Sequence, residues 1–324
     1  MTAAARFQFR FVATAEVDTA NGLTDFSRGA DPPGLRESIA AVGLTHPPAL
    51  TPHGAGYRVV SGHRRLRAVR ALGLQTIPAN LLDAALDDAA RLAFNLTENR
   101  AHRQYSDIET AAILSRLRRA GSEDGRIIEQ YMPILGLERS KKLLDDFLST
   151  AAFDDGLQQL LHDANIPLRV YAPMFRWDDA GRAKAAAALG ALRPGVNKWR
   201  ELVQLLDETA RRDGVSPADL LDREEVRIAL QNTEAACDAV RGVLRRYRFP
   251  TLSRLQKEVW LAMDQLKLSE GVRLRVPETF EHETIRIELA FKSEDELAAQ
   301  MERLSTAARS QAMRDLIQLF KNSR

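Results

Sequence analysis

The strongest constraint on the fold is a change of pattern near Asp83. Before it, short alternating stretches are separated by Gly and Pro; after it, helix formers run almost unbroken into the 260s. Residues 6–18 read as a strand region. "DPPGLRESIAAVGL" reads as a short helix entered from Pro32 and Pro33 and stopped at Gly43. "PPALTPHGAGYRVVSG" reads as two strands around a Gly-rich turn, and "TIPANLL" as another strand. Between them "SGHRRLRAV" turns a strand into a helix that ends at Leu72–Gly73. "SDIE" carries a capping box, Ser106 with Glu109, and Ile113, Leu114 and Leu117 give the next helix its apolar side. Two alternating stretches, "GVRLRV" and "ETIRIELAF", joined by "PETFEHE", precede a closing helix from about Ser293. The fold class expected is α+β: an α/β domain over 1–105, a helical domain over 106–180, a helical region over 181–270 and a strand-strand-helix module over 271–324.

Charge and cysteine content narrow the function classes. The formal net charge is +2, so global charge does not point to nucleic acid. Residues 1–120 carry 15 basic and 11 acidic side chains, whereas residues 121–182 carry 7 and 11. The single cysteine, Cys237, excludes an intramolecular disulfide and a cysteine-rich zinc site. The N-terminal residues have no uninterrupted apolar stretch, so neither a signal peptide nor a membrane association is expected, and the expected location is cytoplasmic. His46, His53, His162 and His282 have no partners at metal-ligand spacing. Trp177, Trp199 and Trp260 are expected as core or interface anchors.

The arginine segment carries the chemistry. A strand entering a helix through Ser61–Gly62 leaves free N–H groups at the helix start, which favour an anion. Arg64, Arg67 and Arg70 recur every three residues as one stripe, while Leu66, Val69 and Leu72 fall on another side. Guanidinium forks suit phosphate oxygens. The alternative is a solvated basic helix paired with nearby acids, and the residues alone leave both open.

"GHRRLRA" matches the Gly-x-Arg-Arg-x-Arg-Ala box of the ParB family of chromosome- and plasmid-partition proteins. "LRESIAAVGLTHPPAL" and "YRVVSG" before it, and "LGLQTIPANLL" after it, extend the resemblance over roughly residues 30–118. The resemblance implies the fold shared with sulfiredoxin, and CTP held with magnesium (Mg2+), with Gly62, His63, Arg64, Arg65 and Arg67 at the nucleotide. His63 stands where the family usually has Glu. In "TENRAHRQYSDIETA", Glu98 and Asn99 match the pair that in the family supports slow hydrolysis, Glu98 also being the metal candidate. His102 takes the place of the family's Arg, with Arg100 and Arg103 beside it, and His102 and Arg103 complete the nucleotide set. Sulfiredoxin chemistry is excluded, because Gly62 occupies the place of its cysteine. A small-molecule kinase of the same fold remains an alternative.

The resemblance also implies a helix-turn-helix, placed at "GRIIEQYMPILGLERSKKLLDDFLST". Gly136 would make its turn, and Ser140, Lys141 and Lys142 would face DNA phosphates. Against this stand Pro133 in the first helix, Asp145 and Asp146 in the second, and the acidic balance of the region. A packing module without DNA recognition, a nucleotide-responsive scaffold, is the competing expectation. A second basic cluster, "RGVLRRYRF", is expected to be a solvated helix face, with non-specific nucleic-acid contact as the other reading. Leu297, Met301, Leu304 and Ala308 form a stripe that would meet a second copy, so a homodimer through the C-terminus is expected, and packing on the module's own hairpin is the alternative. No basic peptide precedes the first domain, so a ParA-type ATPase partner is not expected; a nucleoid- or plasmid-associated dimer is.

Overall fold

The structure is a computed structural model and describes residues 7–20, 22–29, 31, 33–82, 86–100, 103–232, 235–268, 271–276 and 285–321. His102, His282 and the "PETFEHE" link lie outside the described residues. Contacts divide the chain into two units, residues 1–204 with Ser216–Leu221, and Leu205–Val215 with residues 222–324. The first unit includes residues on both sides of the expected boundary at 105.

The first unit starts with β1 (Phe7–Ala13), a 3-10 turn, and β2 (Val17–Asp18). After α1 (Leu35–Val42) come β3 (Ala49–His53), β4 (Gly56–Ser61), α2 (His63–Ala71) and β5 (Thr76–Leu82). The five strands form one sheet in the order β1-β5-β3-β4-β2. β1 and β5 are antiparallel, as are β3 and β4, while β3–β5 and β2–β4 are parallel. Alternation drives the layering. Leu50, Val59, Ile77 and Ala79 point to one face and pack with Ile39 of α1 and Leu66 and Val69 of α2. Ala49, Val60 and Leu82 point to the other, where Phe94 of α3 (Asp88–Asn99) covers them.

α3 begins at Asp87, whose carboxylate accepts from Ala90 N at 2.7 Å. α4 (Asp107–Arg119) carries the expected capping box, with Glu109 N donating to Ser106 Oγ at 3.2 Å and Ser106 N to Glu109 Oε2 at 3.1 Å. It is enclosed on most sides: Ile108, Ile113, Leu114 and Leu117 are buried, and so are Glu109, Thr110 and Ser115.

Pro133 interrupts the next helix by widening it, and the helix closes at Ile134. The segment Asp124–Arg126 widens into a π-helix over Ile127–Tyr131 and continues as Met132–Ile134. A proline lacks an N–H and crowds the turn before it, and the wider turn accommodates both effects. Gly136 then turns the chain at φ 75°, and α5 (Lys141–Ala151) packs on α4. α6 (Asp155–Asp163), α7 (Asp179–Leu192), α8 (Val196–Asp213) and α9 (Pro217–Asp222) follow. Trp177 and Trp199 are buried, as expected of anchors.

The second unit contains α10 (Glu224–Gln231), α11 (Ala236–Arg248), α12 (Pro250–Gln265) and a β6 (Val272–Arg275)/β7 (Arg286–Leu289) hairpin. It ends in two helices, α13 (Glu294–Ala308) and α14 (Gln311–Lys321), where one was expected. Ser310 makes the break: its hydroxyl accepts from Met313 N at 3.2 Å and starts a new helix. α14 inserts Met313, Leu316 and Phe320 against Val259, Ala262 and Leu266 of α12 and its end. Trp260 is 64% exposed and so is not a core anchor. Among the described residues no helix is long and apolar enough to cross a membrane.

Leu50 is fully buried between two sheet neighbours and α2, whereas Val42 of α1 is exposed. Leu50→Ala should lower the unfolding free energy by about 2–5 kcal/mol. Val42→Ala should change it by no more than about 0.5 kcal/mol. Urea unfolding followed by circular dichroism measures both; equal small effects would contradict this core.

Candidate functional site

β4 runs into α2 through Gly62, at φ 100° and ψ 23°. A Cβ there would lie 2.9 Å from Pro48 Cβ, so only glycine allows the strand to turn this closely past the 46–48 loop. No side chain caps α2. Its first-turn N–H groups and dipole therefore form an anion-favouring end.

Arg65 reaches back over this turn. Its guanidinium donates to the carbonyls of His46 and, at 3.2 Å, Pro47, and lies 3.7 Å from the carboxylate of Glu98. Burial lowers its pKa, and the Glu98 charge works against that shift. Glu98 is held here because α3 is pinned to β4: Asn95 Nδ2 donates to Val60 O at 2.7 Å. Asn99 sits one turn on, its amide donating to Asn95 O at 2.8 Å. Gly62, Arg65, Glu98 and Asn99 are thus brought to one end of the sheet.

The rest of the box faces elsewhere. Arg67 is clasped by two carboxylates, Asp25 at 2.6 Å and Asp31 at 2.9 Å. The bond with Asp31 raises the Arg67 pKa and lowers that of Asp31. Arg64 lies 3.9 Å from Asp31, and its buried Nε has no hydrogen-bond partner. Arg70 donates to Thr19 and to Val17 O, which fixes β2. The expected stripe of Arg64, Arg67 and Arg70 exists, but nearby acids and carbonyls already engage much of it. Opposite residue numbers explain the split: positions 65 and 67 lie on nearly opposite sides of a helix with 3.6 residues per turn.

His63, expected at the nucleotide, has its ring turned inward, 8% exposed, with Nε2 2.8 Å from Thr24 Oγ1. Burial depresses its pKa to about 4, Asp25 opposing and Arg67 and Arg116 assisting. Arg103 is likewise engaged, donating to the buried Glu109 at 2.7 Å and lying 4.7 Å over the Tyr105 ring. Sequence reasoning missed Thr24, Asp25, Asp31, Asn95 and Arg116. Arg116 of α4 donates from Nη1 to the carbonyls of Gly22, Leu23 and Asp25, and so holds the loop that supplies both carboxylates' neighbours. The nearest signal is the acid in each of "LTDFS" and "ADPPG", but no spacing links either to position 67.

In the helix pair, Ser140 caps α5, its hydroxyl accepting from Leu143 N at 3.2 Å. Lys141 bridges Asp124, at 3.1 Å, and Asp145, bonds that raise its pKa. Lys142 pairs with Asp146 at 2.7 Å. Both lysines are exposed, and each is matched by a carboxylate one turn along its own helix. Among the described residues no cluster of three or more His, Cys, Asp or Glu could hold a metal by itself.

A family model for the ParB N-terminal domain matches residues 32–100, which include both α2 and Glu98–Asn99. A probable chromosome-partitioning protein ParB of Pseudomonas putida is 35% identical over 208 residues, 62% of this chain and 69% of the relative. The chain belongs to the ParB family. A probable plasmid-partitioning protein ParB of Thermus thermophilus is 26% identical over 67% of this chain and 69% of its own length. Three further ParB-family relatives are matched over only 28–34% of their lengths. The C-terminally truncated Caulobacter crescentus ParB complexed with CTP-gamma-S aligns at 21% identity over 56% of this chain and 97% of its own, with a TM-score of 0.26. In this ParB-family chain the box is divided between Arg65, which crosses the uncapped helix start, and Arg67, which is clasped by two acids.

The His63 shift gives a pH dependence with a definite sign. The folded value, about 4, lies below the ordinary 6.5 of an unfolded chain. Between those values the unfolded chain binds the extra proton. Stability from this group is therefore complete above pH 6.5 and falls as pH drops towards 4, by about 2 kcal/mol at pH 5. Unfolding at pH 7.5 and 5 should show this loss in the wild type and a smaller one in His63→Gln. Identical losses in both would contradict the buried neutral imidazole.

Proposed function

We propose that this partition protein is a CTP-dependent dimeric clamp or regulator that associates with DNA in partition, maintenance or transcription. The observation that carries this reading is Arg65, half-buried across the uncapped start of α2, held by loop carbonyls and 3.7 Å from the Glu98 carboxylate. Such an arginine exchanges a distant carboxylate for phosphate oxygens without losing its carbonyl contacts. Gly62 keeps the helix start open to close approach, and Arg64, 3.9 Å from Asp31, is a further donor once it leaves that carboxylate.

These residues fit a nucleoside triphosphate. Arg65, Arg64 and the first-turn amides hold the phosphates. Glu98, released from Arg65, would hold magnesium directly or through its waters, and the ion would offset the phosphate charge; one protein carboxylate plus phosphates is an ordinary magnesium set. Asn99, freed from Asn95 O, orients a phosphate or a water, and any hydrolysis is slow and resets the switch. Arg67 stays with Asp25 and Asp31 and keeps the loop in place. His102 and Arg103 lie beside this end in sequence, and Arg103 would reach a nucleotide only by leaving Glu109.

DNA contact is assigned to Ser140, Lys141 and Lys142 at the start of α5. Dimerisation is assigned to α13, where Met301 is exposed and Leu297 and Leu304 are half-buried. A nucleoid- or plasmid-associated location follows from these assignments. The second reading, a nucleotide-responsive scaffold without specific DNA binding, is favoured by one observation: Asp124, Asp145 and Asp146 neutralise both lysines.

Calorimetric titration with CTP, ATP, GTP and UTP in magnesium tests the nucleotide. CTP should bind preferentially, and Arg65→Ala should weaken it by at least about tenfold. If no nucleotide binds, the switch is wrong. DNA capture at several salt concentrations separates the two readings. Each lost phosphate contact flattens the log–log slope by about 0.9, so Lys141→Ala/Lys142→Ala should flatten it by about 2. An unchanged slope favours the scaffold.

A further inference from the structure

β1 is an edge strand, and its outer side is unusual. Phe7, Phe9 and Phe11 are 56%, 59% and 69% exposed, and all three lie on one face. The rings of Phe9 and Phe11 meet edge-to-face at 5.8 Å. Among the described residues, Phe94 and Leu86 pack on this sheet face at Ala49, Val60 and Leu82, a cluster that does not include the three phenylalanines. The strand contains no Pro or Lys, the usual protections of an edge.

The backbone is available in register with the stripe. Thr14 N donates to Gln75 O at 2.9 Å, one step past the pair Ala13–Thr76. Antiparallel strands alternate, so Val12, Arg10 and Gln8 turn their N–H and C=O to β5. Phe11, Phe9 and Phe7 turn theirs to the open edge.

We propose that this edge pairs antiparallel with β1 of a second copy, about a two-fold axis at Phe9. The sequence is complementary to itself in that register. Phe9 meets Phe9, Phe7 meets Phe11, and Gln8 meets Arg10. An axis at Arg10 would oppose two like charges, and an axis at Gln8 would leave Phe11 without an aromatic partner. The exposed parts of three phenylalanines come to roughly 350 Å² per copy. That is about 700 Å² in all, below the ~1,200–2,000 Å² of a free-standing interface. The pairing therefore forms where two copies are already tethered, at an effective concentration of about millimolar. In this respect it rests on the C-terminal dimer proposed above.

The test uses the full chain with its one cysteine removed, Cys237→Ser. Phe9→Cys is treated with a short bismaleimide, and Val42→Cys on exposed α1 is the control. Light scattering before treatment reports the tethered dimer independently. A covalent dimer at position 9, absent at 42 and lost when Phe7→Lys/Phe11→Lys is added, supports the pairing. A dimer by scattering with no cross-link at position 9 overturns it and leaves the C-terminal reading intact. A monomer by scattering overturns the C-terminal reading; a cross-link at about 100 μM would then still support β1 pairing, and none would overturn it. A position-9 thiol shielded from maleimide in a monomer also overturns it, because another part of the chain would cover the stripe.

Discussion

At Gly62 the backbone passes so close to Pro48 that a side chain has no place. Much of the first unit's functional geometry follows from that close turn. The turn starts α2 without a side-chain cap, sends Arg65 back over the loop that crowds Gly62, and sends Arg67 to the opposite side. Each arginine then meets a different environment. Arg65 is largely buried and meets carbonyls and one distant carboxylate; Arg67 is half-exposed and meets two carboxylates at hydrogen-bond distance. Partly exposed pairs contribute little stability singly, ~0–1 kcal/mol, but a guanidinium shared by two acids fixes geometry. What Arg67 fixes is the loop carrying Asp25 and Asp31, which Arg116 of α4 also holds by its carbonyls. Strand, box helix and α4 are thereby coupled through one short loop.

Much of this was legible in the sequence where the signal is local. The hairpin, α1, α2, β5 and the capping box at Ser106 follow from alternation, glycine stops and a four-residue motif, and all appear where expected. Local signals fail where the partner is remote. Arg67 and Asp25 are 42 residues apart, and nothing in either neighbourhood selects the other. The same holds for His63 and Thr24, 39 residues apart. One failure was of a different kind. The closing segment reads as a single helix from about Ser293, yet Ser310 caps a second one, α14, whose Met313, Leu316 and Phe320 pack onto α12.

In the helix pair, shape and electrostatics separate. The 124–134 helix, the turn at Gly136 and α5, capped by Ser140, make two helices joined by a turn. The charges are arranged for self-neutralisation: each lysine at the start of α5 has an aspartate four residues on. Such pairs stabilise a helix by a few tenths of a kcal/mol, and they also reduce the positive potential that draws phosphates. An anion approaching this face would therefore exchange ion pairs rather than add them, with a smaller electrostatic gain than the count of lysines suggests.

The family resemblance expects an acid at position 63, and this chain has a buried imidazole. A carboxylate at that depth would need a cation, and both arginines that act on His63 most strongly, Arg67 and Arg116, already hold the 22–31 loop. On Arg67 it would compete with Asp25 and Asp31 for the same guanidinium. A neutral histidine satisfies its ring through the Thr24 hydroxyl and leaves Arg67 to both aspartates. Burying a neutral ring with one hydrogen bond costs far less than burying an unpaired charge. A buried neutral histidine at 63 and two aspartates on Arg67 are therefore electrostatically compatible, and the ring's side-chain hydrogen bond to Thr24 ties the start of α2 to the 22–25 loop.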